Sequence, residues 1–494
     1  MTLLDRIERL GNRLPDPATL FLFGLIIVML LSAVISTLGW SMTAPADGHE
    51  LSAHNLLGSD GIWWLLSHLV ENFINFPPLG IVLVGMLGIG LAERSGLLPT
   101  LFTQLAAVTP ASLLTPAMVL LGIQSSLALD AGYVVLPPLA AVLYQAAGRP
   151  PLAGIAAVFA GVSAGFGANL LITALDPLLA GFTQSGASLI DTDYRVAATA
   201  NWWLMIASTI MLTLIGWAVT AWYVEPRLQQ QISTSPVQEQ ASQTDITAEK
   251  QRALKRTGMC AMVLLMLLLL AIFLPGAPLH GSGQYFARWV EATVPLLFLC
   301  FLIPALVYGI SAGTIRNDRD AARMLFDTMT TLGPYIVLAF FAAQFIEAFK
   351  YSGLGEMLAI AGGQFLSQLA IPTPMLMIGF ILVVGLANLL IGSASAKYAF
   401  FAPVFVPMFM QVDVSPELTQ AAYRIGDSVS NIITPLNPYM IIIIAHVQIY
   451  AKKAGFGTVL ALMLPYSLAF FLSWSVLLVI WLLLGLPLGP GAHV

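Results

Sequence analysis

Long apolar runs separated by short polar breaks set the pattern of this chain. The first run covers 18 to 40 and is long enough to cross a bilayer, which takes about 20 apolar residues as a helix. The stretch before it carries Arg6, Arg9 and Arg13, and residues 41 to 61 after it hold Asp47, Glu50 and Asp60 but no Lys or Arg. The positive-inside rule therefore predicts a cytoplasmic N-terminus and an outer loop at 41 to 61. Residues 62 to 75, with Trp63, Trp64, His68 and Glu71, read as interfacial. Further spans are expected at 77 to 92, 97 to 121, Trp202 to about Glu225, 258 to 275, 292 to 314, 373 to 391 and 457 to 486, with a polar outer loop at 183 to 195. Residues 226 to 256 are Gln-, Ser- and Thr-rich and carry Arg227, Lys250, Arg252, Lys255 and Arg256. They read as a cytoplasmic linker between a membrane half at 1–225 and a second at 257–494.

Two stretches depart from this pattern in the same way. The first, 124 to 177, opens with Ser125-Ser126, Asp130 and Tyr133, continues through Pro137, Pro138 and Pro151, carries Val162-Ser163 and Asn169, and ends in Leu175-Asp176-Pro177. The second, 387 to 438, opens with Ser393, Ser395, Lys397 and Tyr398, continues through Pro403, Pro407 and Pro416, carries Val429-Ser430 and Asn431, and ends in Leu436-Asn437-Pro438. The ordered series falls once in each half. Apolar arms of about a dozen residues around the first opening, too short for a full crossing, predict a re-entrant hairpin there. Gly161, Gly165 and Gly167 predict a broken helix after the first hairpin. Charges at membrane depth are costly and line a cavity or path, and irregular backbone there survives only where protein or cavity water covers it. Paired units of this kind predict an inverted-repeat secondary transporter with its site between discontinuous helices.

Composition agrees. The chain is 58% hydrophobic and 9% charged with a net charge of −5, and its mean hydropathy is +0.87. Soluble domains carry about 25% charged residues. No basic, aromatic-laced patch suggests a nucleic-acid partner; the expected partners are the lipid bilayer and a small solute, with no cofactor. Cys260 and Cys300 make no metal pattern and read as buried small hydrophobes.

The candidate chemistry lies in the two units. Ser415 suits a helix cap, Pro416 the first turn, and Glu417 the positive end of the helix dipole. That helix places Arg424 and Asp427 three apart on one face. The planar guanidinium suits a carboxylate or sulfonyl group. Asp427 reads either as a tether for Arg424 or as the acceptor of a coupling proton or sodium ion. Asp176 and Asn169 form the matching site in the first unit, where with Asn431 they are candidate sodium ligands, and Asp130 at the first hairpin tip reads either as a further ion-coupling carboxylate or as a solvated turn residue. Asn388 stands at the entrance of the second unit as a substrate candidate. Lys397 is expected to snorkel to the water edge, and Tyr398 to stack on an aromatic solute or to anchor the hairpin. Gly161-Val162-Ser163-Ala164-Gly165 also fits the Gly-x-Ser-x-Gly pattern of serine hydrolases, which has meaning only in a strand–turn–helix elbow. Glycines four apart more often let helices pack closely.

At these residues the chain resembles the aminobenzoyl-glutamate transporter (AbgT-type) family. The carriers are Asp130-Ala131-Gly132-Tyr133-Val134-Val135-Leu136, Ala168-Asn169-Leu170-Leu171 with Asp176-Pro177, Ile391-Gly392-Ser393-Ala394-Ser395-Ala396-Lys397, and Tyr423-Arg424-Ile425-Gly426-Asp427-Ser428 with Asn431-Ile432-Ile433-Thr434-Pro435-Leu436. The resemblance implies an all-α, homodimeric transporter of the bacterial inner membrane with about nine spans, two re-entrant hairpins and a sodium site. It implies p-aminobenzoyl-glutamate or sulfonamides as solutes and functional roles for Asp176, Ser395, Arg424 and Asp427, with Asn169 and Asn431 near the ion. The family often has a tryptophan after the hairpin lysine, where this chain has Tyr398. The expectation is a Na⁺- or H⁺-coupled carrier, not an enzyme; a dicarboxylate or citrate-type carrier is the alternative, and an intramembrane serine hydrolase the outside case.

Overall fold

Prolines and short polar side chains mark where the helices begin. In helix α1, Pro17–Leu38, the Asp16 carboxylate accepts from the Ala18 amide at 2.9 Å and proline fills the first turn. A computed structural model describes residues 15–43, 50–128, 131–229 and 247–492. Asp130 and residues 230–246 of the linker lie outside the described residues. After α1, the strands Ser41–Thr43 and Glu50–Ser52 pair antiparallel.

Residues 62 to 75, expected at the interface, lie in α2, Ser59–Ile74, which buries only Gly61 and Asn72 and belongs to an apolar helical run, Ser59–Arg94, long enough to span. Helix α3, Pro77–Arg94, follows directly. The expected single span at 97 to 121 is instead two helices: α4, Leu97–Ala107, meets the helical run Ala111–Leu127 at 114°. Pro110 stands at the bend, where it removes a backbone donor and drives the residue before it out of the α region.

The first unit then unfolds as expected. Helices α5, Leu114–Gln124, and α6, Ala131–Ala146, are the hairpin arms. Helix α7, Pro151–Phe159, runs into a π-helical turn at Ala160–Ala164. Residues 165–174 are irregular, and α8 resumes at Leu175–Ala187, so the polar loop begins later than 183. Gly161 and Gly165 do serve close packing: a Cβ on Gly161 would strike the Val119 carbonyl, and one on Gly165 the Ile123 side chain.

Helix α9, Trp202–Val219, continues through a π turn into α10, Glu225–Gln229. The basic end of the linker is not loop. Thr247 caps α11, Ala248–Phe273, so Lys250, Arg252, Lys255 and Arg256 form its first turns. Next come α12, Arg288–Glu291; α13, Thr293–Ala312; α14, Asp318–Thr331; α15, Gly333–Tyr351; and α16, Leu354–Leu369. Cys260 and Cys300 are free and half-buried rather than enclosed.

The second unit repeats the order of the first, without its π turn. Helices α17, Thr373–Asn388, and α18, Ala394–Met410, are the hairpin arms. Helix α19, Pro416–Ser430, is the counterpart of α7; residues 431–439 form the break; and α20, Met440–Tyr450, resumes. Helix α21, Phe456–Leu483, closes the membrane core. The expected span at 373 to 391 is instead the arm α17 of 16 residues, and α18 has 17, both below the length of a full crossing of about 20.

Among the described residues, six helices are long and apolar enough to span, or eight when each bent pair counts as one span. The shorter apolar helices of 10–17 residues are arms and half-helices of the two units. Burial divides the helices by role. The apolar window of α11 is 6% buried, as a lipid-facing helix should be, whereas every residue of α19 is buried, including its charges. The two units interlock reciprocally: α8 packs on α18, and α20 packs on α6 and α7. Each unit thus lays its last helix on the hairpin arm or broken helix of the other.

Candidate functional site

The break at 165–174 frees backbone groups that α19 takes up. Arg424 donates from Nε (3.1 Å) and Nη2 (2.9 Å) to the Gly167 carbonyl. Its Nη1 reaches Asp176 Oδ1 at 2.5 Å. The other carboxylate oxygen accepts from the Thr173 amide (2.7 Å) and hydroxyl (2.9 Å). Ser428 Oγ accepts from the Gly167 amide at 2.9 Å. Gly167 is glycine for lack of room: a Cβ there would lie 2.5 Å from Ser428 Oγ and 3.1 Å from the Arg424 carbonyl. Asp176 sits in the first turn of α8, where a carboxylate is favoured by the helix dipole. One guanidinium therefore ties α19 of the second unit to both ends of the break in the first.

The expected tether between Arg424 and Asp427 does not form. Asp427 pairs with Lys397, whose Nζ lies 2.6 Å from Oδ1. The contact is an ion pair, and the Tyr423 hydroxyl faces the same carboxylate. Lys397 is 0% exposed, so the snorkelling expectation is also overturned: its ammonium turns inward, where a buried carboxylate and an amide oxygen replace water. It donates to Asn388 Oδ1 at 2.6 Å. The amide nitrogen of Asn388 in turn reaches the Asp427 carbonyl (3.1 Å), Ser430 Oγ (2.9 Å) and Asn431 Oδ1 (2.7 Å). Asn431 Nδ2 is 3.4 Å from Asp427 Oδ2. Two buried pairs of opposite sign thus stand side by side on α19, which keeps the interior neutral; a buried charge without a partner is strongly destabilising.

The amide residues fall into separate networks. Asn169 Oδ1 lies 2.6 Å from Ser126 Oγ of the first hairpin, and Asn431 belongs with Asn388 and Asp427. The proposed sodium ligands Asn169, Asp176 and Asn431 share none of these bonds. Asn437, the counterpart of Asp176, donates to Ser163 Oγ at 3.1 Å. The cross-unit ties are therefore reciprocal in place but unlike in chemistry: charged from Asp176 to Arg424, neutral from Asn437 to Ser163. Ser163 lies within the π turn and is buried; the strand–turn–helix elbow that a hydrolase serine needs is not its setting.

Tyr398 is fully buried. Its ring centre lies 4.2 Å from that of Tyr423 and meets Phe182 edge-on at 6.4 Å. Its hydroxyl is 2.7 Å from Thr183 Oγ1, which donates to Gln420 Oε1 at 2.7 Å. Here it braces α18 against α8 and α19 and offers no open ring. Ser395 is half-buried, 3.3 Å from Ser393 Oγ, while Ser393 caps α18. Glu417 and the Ser415 cap stand as expected at the start of α19. Sequence reasoning missed the parts played by Gly167, Thr173, Thr183 and Gln420, whose only signal was polarity inside apolar runs.

Comparison with known proteins agrees with this architecture. A profile of the AbgT putative transporter family matches residues 2–494. The chain is 33% identical over 490 residues to the p-aminobenzoyl-glutamate transport protein of Escherichia coli (strain K12), covering 99% of this chain and 96% of that protein. The fold is similar to the crystal structure of the Alcanivorax borkumensis YdaH transporter, described as having an unusual topology, with a TM-score of 0.91 and 42% identity over 96% of this chain and 100% of that one. It is equally similar to Neisseria gonorrhoeae MtrF, described as illuminating a class of antimetabolite efflux pumps, with a TM-score of 0.91 and 42% identity over 99% of this chain and 100% of that one. With the family matched over almost its full length and the fold shared from end to end, this multi-pass membrane protein belongs to the AbgT transporter family.

Proposed function

We propose that this protein is an ion-coupled secondary transporter of p-aminobenzoyl-glutamate-like aromatic carboxylates and sulfonamide antimetabolites. The observation that carries this reading is the Arg424–Asp176 pair, which holds the two repeat units together through the Gly167 carbonyl. A solute carboxylate or sulfonyl group fits the same planar fork. By replacing Asp176 on Arg424 it frees the break of the first unit from α19. The released carboxylate then needs a cation at membrane depth, and a proton or Na⁺ supplies it, with Asn169 of the same break as an oxygen donor; Asn431 serves Asp427 instead. Solute and ion are in this way coupled by charge balance. Asp427 is the second coupling carboxylate, but it is free to act only when Lys397 leaves it. The names of the Escherichia coli and Neisseria gonorrhoeae relatives support this choice of solutes. Asn388, Ser395 and Tyr398 complete the substrate side, with Tyr398 exposed only as the units part.

The test is transport in reconstituted vesicles, with labelled p-aminobenzoyl-glutamate and a sulfonamide and with proton and sodium gradients imposed separately. Flux of at least one solute should respond to one gradient, and Arg424→Ala should abolish it while the protein stays folded. If neither solute responds to either gradient, the reading fails.

A further inference from the structure

The first turn of α19 buries a carboxyl group that no cation meets. Glu417 is 3% exposed, and among the described residues the buried ion pairs all lie elsewhere. Its Oε2 accepts from the Tyr194 hydroxyl at 2.7 Å, and its own amide is a further donor. Arg195 of the 188–201 loop is spent on the Thr192 (2.7 Å) and Tyr194 (2.8 Å) carbonyls and lies over the Tyr285 ring. Lys397 and Arg424 are taken by Asp427 and Asp176, and α17 and α21 carry no charged side chain. Asp191 and Tyr398 are the other titratable groups within electrostatic reach of Glu417 and Tyr194. Asn201, the residue before α9, pins the turn: its Nδ2 donates to the Glu417 carbonyl at 2.8 Å, while its buried Oδ1 finds no donor. The broken helix of the first unit starts at the other end of the α9–α10 run and is held differently. There Arg149 meets Glu225 at 2.9 and 2.6 Å, so both charges are matched.

We propose that Glu417 is a proton-binding site, distinct from the two charge pairs on α19: its carboxyl holds a proton while the first turn of α19 lies against the 188–201 loop, and giving that proton to water releases the turn. A buried charge without a partner is strongly destabilising. A proton removes the charge and makes the carboxyl a donor as well as an acceptor, beside an Asn201 amide oxygen in want of a donor. Once ionised, the carboxylate is better placed in water, and the loop must lift for water to reach it. The two ends of the α9–α10 run then differ in kind: the Arg149–Glu225 end carries its own counter-charge, whereas the Glu417 end answers to protons. This holds for any solute or coupling ion, so it and the transport reading can each fail without the other.

The experiment follows thermal unfolding of the purified full-length wild type, Glu417→Gln and Glu417→Met in detergent, from about pH 5 to about pH 9. A carboxyl that keeps its proton when folded and loses it when unfolded adds stability at low pH, and that stability fades as pH rises. The melting temperature of each neutral variant minus that of wild type should therefore grow by several degrees toward the alkaline end. Hydrogen exchange across 188–201, compared at one pH, should be faster in wild type than in Glu417→Gln at the alkaline end and alike at the acid end. The proposal is overturned if the difference in melting temperature stays constant or shrinks with rising pH, or if exchange in the loop is alike at both ends. It is also overturned if neither variant folds, because the charge itself would then be what the fold requires.

Discussion

Breaking the Arg424–Asp176 pair one partner at a time should cost more than removing both. Arg424→Met deletes the 2.5 Å contact and both bonds to the Gly167 carbonyl. It also leaves a carboxylate, whose side chain is 9% exposed, with donors from Thr173 only. Removal of one member of a buried pair costs about 3–5 kcal/mol. Asp176→Asn should cost a similar amount, because the guanidinium is then the unbalanced charge. In Arg424→Met with Asp176→Asn neither charge remains, and the main loss is the unsatisfied Gly167 carbonyl, about 1–3 kcal/mol. The double variant should therefore lie nearer to wild type than either single variant. Equilibrium unfolding of the four proteins in mixed detergent–dodecyl sulfate micelles measures this cycle. Additive losses, with the double variant as unstable as the sum of the singles, would refute the idea that the two residues are one another's charge partners.

Other outcomes follow from the same contacts. Asn388→Leu removes the amide that joins Lys397, Ser430 and Asn431, and should lower stability by about 2–4 kcal/mol in the same unfolding assay. Gly167→Ala puts a Cβ 2.5 Å from Ser428 Oγ, which should loosen the break by about 1–3 kcal/mol and show as faster hydrogen exchange across 165–174. Tyr398→Phe deletes only the bond to Thr183, about 1 kcal/mol; a rise in KM in the vesicle assay with unchanged stability would instead give the hydroxyl a direct role toward solute. Ser163→Ala loses the Asn437 bond, about 1 kcal/mol, and should keep vesicle flux; complete loss of function with an intact fold would revive the serine chemistry.

Much of the architecture was legible along the chain because its causes are local. Hydropathy separates membrane from water, and prolines and caps place helix starts, as at Asp16, Pro151 and Ser415. The repeat was legible because the order of polar landmarks survives in both halves even where single residues differ. The errors also have local causes. Polar composition at 247–256 looked like loop because charge says nothing of backbone hydrogen bonding once a cap such as Thr247 starts a helix. Continuous apolarity over 97 to 121 hid the bend beside Pro110, since lipid-facing and buried segments share one composition.

By itself the sequence determined a polytopic helical chain with two polar, interrupted units and set Arg424 and Asp427 on one helix. Tertiary structure alone decided their partners. Helical periodicity fixes which residues share a face but not which helix that face meets, and here neighbouring side chains diverge: Arg424 crosses to Asp176, 248 residues earlier in the chain, while Asp427 turns to Lys397. Reciprocal packing of α8 on α18 and of α20 on α6 and α7 brings these groups together. Once water is excluded, each buried charge must be matched by whichever opposite charge the interlocked units place within reach.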